Sequence, residues 1–252
     1  GGTVQGKATN LSSYQVEALL SRQVTDWKQL GLGTAPVQAD GSPASVGTAA
    51  DATSPVTLCL RTAGSGTKAA LDETVMVTAV ETGIGSATLT NAASGVYFGT
   101  SNQDVRDCII GNPGLIPARP AHPNGFGYME ADQADLAVNP TVGVSKAYEV
   151  KLDGFKARDL TLADPKENLK CGKWKYWVGE RMNTRNPSSS DANVAGLISA
   201  IITTASDPFT IGILPAGQFW AAPGQMNVQK NSDKGPILFR SVATQNPGVC
   251  VN

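Results

Sequence analysis

Arg61, Gly64, Ser65, Gly66 and Thr67 are the residues of this chain whose types and spacing best support chemistry. Ahead of them Val56-Thr-Leu-Cys-Leu60 is short, apolar and partly β-branched, which is the pattern of a strand. The run from Lys68 onward reads as a helix. A strand, a glycine turn and a helix N-terminus in succession present free backbone N–H groups to an anion. Gly64 and Gly66 let the backbone approach a ligand closely. Ser65 and Thr67 carry hydroxyls that can cap the helix or donate to an oxyanion, and Arg61 adds a forked, permanently charged donor. Taken alone, the same residues also make an ordinary cap and turn. No GxxxxGK[ST] frames Lys68 and no GxGxxG is present, so neither a Walker loop nor a dinucleotide fingerprint is indicated.

Other reactive residue types offer less. The single histidine, His122, stands in the proline-broken stretch 113–123 with no paired nucleophile nearby in sequence, and HExxH, GxSxG and DxDxDG are all missing. Asp104, Asp107, Asp132 and Asp135 invite a metal reading that cap and surface roles fit as well. Trp174, Tyr176 and Trp177 could stack a ligand or pack a core or hinge. The expectation is a non-enzymatic protein with no catalytic residues, metal or cofactor.

Charge narrows the class further. Twenty basic residues stand against 21 acidic ones for a net charge of −1, which gives no support to nucleic-acid binding or a polybasic membrane surface. Any anion site must therefore be local. Charged residues make up 16% of the 252, well under the roughly 25% of an average soluble domain. No apolar run approaches the ~18 residues of a spanning helix. The first residue, Gly1, is neither methionine nor the start of a signal peptide, as expected of a mature or trimmed form. Cys59, Cys108, Cys171 and Cys250 are spaced too widely for metal knuckles. Two disulfides and an oxidising compartment fit them, four buried thiols being the alternative. Of the possible pairings, Cys59–Cys108 and Cys171–Cys250 each stay within one part of the chain.

The elements that must position the glycine turn are legible in outline. Ser12 or Ser13 can cap a helix reaching Arg22, with Val16, Leu19 and Leu20 on its apolar face. Residues 34–55 read as a long surface loop. Residues 101–110 suggest a short helix, and Tyr148-Glu-Val-Lys-Leu152 a strand running into an Asp153-Gly154 turn. Trp174–Val178 reads as another strand. Asn186–Asp191 reads as a linker that caps a helix, in which Val194, Leu197, Ile198, Ile201 and Ile202 recur at amphipathic spacing.

Taken in order, several passages resemble the periplasmic phosphate-binding proteins and their type II substrate-binding relatives. Asn10-Leu-Ser-Ser-Tyr-Gln-Val-Glu-Ala-Leu-Leu20 with Val24-Thr-Asp-Trp-Lys-Gln-Leu-Gly31 is similar to the passage that leads, in that family, to R-x-x-G-S-G-T, matched by Arg61 to Thr67. Gly125-Phe-Gly-Tyr-Met-Glu-Ala-Asp132 resembles the family's G-x-G-Y strand. Lys151-Leu-Asp-Gly154 and Gly172-Lys-Trp-Lys-Tyr-Trp177 resemble its L-D-G segment and its return strand.

The resemblance implies an α/β, type II periplasmic-binding-protein-like fold, with a mixed sheet flanked by helices. An extended entry segment (1–10) would precede an anion-binding lobe (11–170), and 171–252 would contribute to a second, incomplete lobe. It further implies a secreted or periplasmic protein that binds phosphate or a similar tetrahedral oxyanion through Arg61, Ser65, Gly66 and Thr67 and serves transporter uptake. Two departures matter. Ala63 stands where the family usually has an aspartate that accepts a proton from phosphate, and the family's N-terminal third has no counterpart ahead of Asn10. The alternative is an extracellular assembly subunit on the same fold with a degenerate anion site. A complementing chain or like subunits would then pair with 1–9 or with strands after Pro208.

Overall fold

The computed structural model describes residues 10–30, 55–77, 95–111, 125–131, 149–179, 191–213, 221–240 and Cys250. The entry segment 1–9, most of the 34–55 loop, the 113–123 stretch with His122, Asp132, Asp135 and the linker 186–190 lie outside these residues. The architecture is mixed α/β, with parallel sheets flanked by helices. The chain divides into two compact units, residues 1–154 and 155–252, ahead of the 170/171 boundary that the resemblance implies.

In the first unit β1 (Asn10–Leu11) pairs in parallel with β5 (Lys151–Leu152), Leu11 opposite Leu152. Between them in sequence, α1 (Ser13–Leu20) starts where Ser12 and Gln15 form a reciprocal capping box and buries Val16, Leu19 and Leu20. The predicted Asp153-Gly154 turn is present. Asp153 accepts from the Ser13 N–H at 2.9 Å, and the Gly154 N–H donates to Asn10 Oδ1 at 2.7 Å.

The main sheet holds β2 (Thr57–Arg61) at its centre, between β3 (Val96–Gly99) and β4 (Gly125–Gly127), all parallel. Leu58, Cys59 and Leu60 are buried in succession, as a strand covered on both faces requires. Sinking each leucine contributes about 1.5–3 kcal/mol. From β2 the chain enters α2 (Gly66–Thr74), and from β3 it enters α3 (Asn102–Ile110), which packs across all three strands. Gly127 has a steric reason: an ideal Cβ there would fall 2.4 Å from the carbonyl oxygen of Cys59 on β2. The Cys59–Cys108 disulfide, with Cα atoms 5.8 Å apart, fastens α3 to the central strand.

The second unit contains α4 (Glu167–Lys170), α5 (Ala192–Ser206), α6 (Pro208–Ile213) and an antiparallel pair, β6 (Val228–Gln229) with β7 (Leu238–Phe239). Cys171 pairs with Cys250, Cα atoms 5.6 Å apart. Asp164 accepts from Lys170 at 2.6 Å. Burial raises its pKa, but the bonds from Lys170 and the Lys166 N–H outweigh this and hold it below the usual carboxylate range.

Two expectations are corrected here. Among the described residues no sheet mixes strand directions; the parallel sheets and the antiparallel pair are separate. Trp174–Val178 is not a strand. Its backbone is held by other groups instead: Trp174 N–H donates to the Asn168 carbonyl, Lys230 Nζ donates to the Trp177 carbonyl at 2.9 Å, and the next residue, Gly179, donates to Asp233. Residues 192–206 are helical, capped by Asp191, yet none of them is buried, so the apolar stripe faces outward rather than into a core.

Both cysteine pairs are those expected from the sequence. Alkylating the native chain without reductant should leave its mass unchanged; label on the thiols would overturn the pairing. Reduction should lower the unfolding free energy by roughly 2–4 kcal/mol per bridge, read from denaturant midpoints.

Candidate functional site

Because β2, β3 and β4 are parallel, their carboxyl ends lie along one edge of the sheet. The chain leaves β2 for β3 on one side, then returns past β2 to β4 on the other. Between β2 and β4 the connections thus run in opposite directions, and in open α/β sheets such a switch point is where the loops part to form a crevice. The segments that follow the three strands carry Arg61 to Thr67, Thr100 to Asn102, and Tyr128 to Glu130.

These side chains form a closed polar ring. Nη1 of Arg61 donates to Thr67 Oγ1 at 3.3 Å and, by a short bond, to Asn102 Oδ1. Nη2 donates to the Thr100 carbonyl at 3.2 Å. Thr67 in turn donates its hydroxyl to Glu130 Oε1 at 2.7 Å, and Asn102 Nδ2 donates to Glu130 Oε2 at 2.9 Å. Arginine offers donors only, so the atoms of Thr67 and Asn102 that face it must be acceptors. Their own protons are thereby turned away from Arg61 and onto a single carboxylate. Arg61 Nε is buried and finds no partner among the described residues.

Local backbone structure explains why the ring is so placed. Gly64 has φ +85°, a left-handed turn conformation open to glycine at little cost. Ser65 is the N-cap of α2, its Oγ accepting from the Lys68 N–H at 3.3 Å. The helix therefore begins at Gly66, two residues ahead of the expected start. The N–H groups of Gly66 and Thr67 lie in its first turn, where a helix supplies no carbonyl partner. On α3, Ser101 and Asp104 form a capping box. Asp104 also accepts from the Thr100 N–H and hydroxyl at 2.9 and 2.7 Å, which fixes the approach to Asn102. Lys68 is turned away into an ion pair with Asp72 at 2.5 Å.

Of the residues singled out from the sequence, Arg61 and Thr67 are in direct contact, while Ser65 and Gly66 open the helix beside them. Asp104 is a cap, and buried Asp107 accepts from Gln103 at 2.6 Å. Among the described residues no three His, Cys, Asp or Glu side chains gather as a metal site. Trp174 and Tyr176 meet edge to face with centroids 5.3 Å apart, and Lys230 lies over the Trp177 ring at 5.0 Å. Sequence reasoning missed Asn102, Tyr128 and Glu130. The available signal was their position directly after predicted elements: Ser101-Asn102 at a helix start, and Tyr128 to Glu130 at the end of the G-x-G-Y strand.

No protein-family model matches the chain, and no curated protein matches it.

Tyr128 closes the inner side of the ring, its hydroxyl accepting the Arg61 backbone N–H at 3.4 Å. Burial pushes its pKa up to about 12, against the Arg61 N–H bond, with the charge of Asp72 adding to the rise and that of Arg61 opposing it. The folded chain thus keeps a proton that the unfolded chain releases near 10.0. The contribution of this group to stability is complete below that pH and is lost as pH rises through about 12. Tyr128→Phe should therefore show a shallower loss of unfolding free energy than wild type between about pH 10 and 12 in urea melts. Parallel curves would refute the assignment.

Proposed function

We propose that this chain is a non-enzymatic binding protein for phosphate or a similar tetrahedral oxyanion, secreted or periplasmic and linked to transporter uptake, on a type II periplasmic-binding-protein-like fold. The observation that carries the reading is the convergence of directed donors at the carboxyl edge of the sheet. Arg61 orients the protons of Thr67 and Asn102 onto one oxyanion group, the Glu130 carboxylate. Further donors stand beside it in the first-turn N–H groups of α2. The two disulfides and the absence, among the described residues, of a helix long and apolar enough to cross a membrane fit an oxidising, extracytoplasmic setting.

Calorimetric titration of phosphate and sulfate tests this. Arg61→Ala should weaken both by about tenfold or more, since charge-assisted bonds are worth about 1.5–3 kcal/mol each. Ser65→Ala should cost less, because the backbone donors stay. With Ala63 in place of an acidic acceptor, the two anions should be poorly discriminated. Absence of binding at millimolar concentration, both in the wild type and with Glu130 removed, would overturn the reading.

A second reading, an assembly subunit, is favoured by a separate observation. On α5 and α6, Leu197, Ile201, Ile202, Phe209 and Ile213 are all exposed, Leu197 at 62% and Phe209 at 76%. Such a contiguous apolar surface commonly marks an interface. Under this reading the 252-residue chain sediments as an oligomer at micromolar concentration and Ile201→Asp returns it to monomer. A monomeric wild type would overturn assembly from like subunits.

A further inference from the structure

We propose that Glu130 is the resident occupant of this site: an internal carboxylate that sits on the Thr67 and Asn102 donors until an external oxyanion displaces it, Asn102 then serving as a ligand donor. The inference rests on the anion-binding reading and adds to it a competitor and a contact that the glycine turn does not contain.

Asn102 comes first. Its amide oxygen is held by Arg61, so its nitrogen points outward, and its backbone is set by the capped start of α3. Thr67 repeats the arrangement: its oxygen takes an Arg61 proton and its one hydroxyl proton leaves toward Glu130. Both donors therefore keep their direction when the acceptor changes, as preorganised recognition requires. They are a fixed pair awaiting an oxyanion, and they sit in the first turns of helices that follow two different strands.

Glu130 is the movable member. Its side chain is exposed, and the polar contacts that hold its carboxylate among the described residues are the two from Thr67 and Asn102. A carboxylate left in place would block both donors and repel an incoming anion. Swinging outward exchanges two hydrogen bonds at an exposed carboxylate for hydration, so a minor open population is expected rather than a dominant one. The apparent dissociation constant then equals the intrinsic one divided by the fraction of molecules with Glu130 swung out. An open fraction of about one tenth weakens every oxyanion about tenfold without favouring one over another.

The test is titration of phosphate and of sulfate into the wild-type chain, Glu130→Ala, Glu130→Gln and the Glu130→Ala/Asn102→Ala double variant, with thermal melts to confirm folding. Glu130→Ala should bind both anions about tenfold more tightly than wild type. Glu130→Gln should also gain, because it removes the charge and leaves one acceptor oxygen for two donors. The double variant should lose about tenfold relative to Glu130→Ala, since the Asn102 donor is gone. Binding seen only once Glu130 is removed supports the proposal in its strongest form. Unchanged affinities in Glu130→Ala overturn it while leaving the anion site standing. Weaker phosphate binding with sulfate unaffected also overturns it, since Glu130 would then be a direct proton acceptor rather than a competitor. If no variant binds either anion, the anion reading itself fails and this proposal falls with it.

Discussion

Parallel pairing of β2 with both its neighbours is the constraint on which the first unit depends. Leu58, Cys59 and Leu60 are buried side by side, so β2 can lie only in the middle of a sheet covered on both faces. Once β3 and β4 run parallel to it, each connection must return over the sheet, and the helices α2 and α3 supply that return. The geometry leaves no freedom about where the loops gather. Residues far apart in sequence, from Arg61 to Glu130, emerge together because three strands end at one edge.

Within that edge the guanidinium of Arg61 is turned inward. Arg61 gives its protons to Thr67, Asn102 and Thr100, and its influence reaches Glu130 through the first two. A guanidinium suits this because its donors are planar and fixed in direction, whereas a lysine could not hold the same three acceptors in one plane. Such a site needs no broad positive field. That is consistent with a chain whose basic and acidic residues almost cancel, 20 against 21. The ring is ordered by the direction of its donors rather than by accumulated charge.

How much of this could be read beforehand differs by element for physical reasons. The strand, the turn and α2 were legible because their signals are local: a buried β-branched run, a glycine with φ +85° and a serine cap. Cysteine pairing was legible because each bridge stays within one part of the chain. Asn102 and Glu130 were not, since their roles arise only when β3 and β4 are placed on either side of β2, and sheet order is not written in any local pattern. Trp174–Val178 misled because alternating aromatic residues look like a strand whether or not a neighbour exists to accept the backbone bonds. The period of α5 announced a helix correctly, but periodicity alone does not tell whether the apolar stripe meets a core.

The Cys59–Cys108 bridge carries a consequence of its own. Cys59 lies two residues before Arg61, and Cys108 lies on the same helix as Asn102. The bond therefore clamps together the two elements whose side chains meet at the ring. Oxidation state and the geometry of the ring are coupled through it: in a reducing environment α3 would keep its packing but lose its covalent anchor to β2. Where thiols are driven to disulfides, Arg61 and Asn102 are tied by a covalent path as well as by their hydrogen bond.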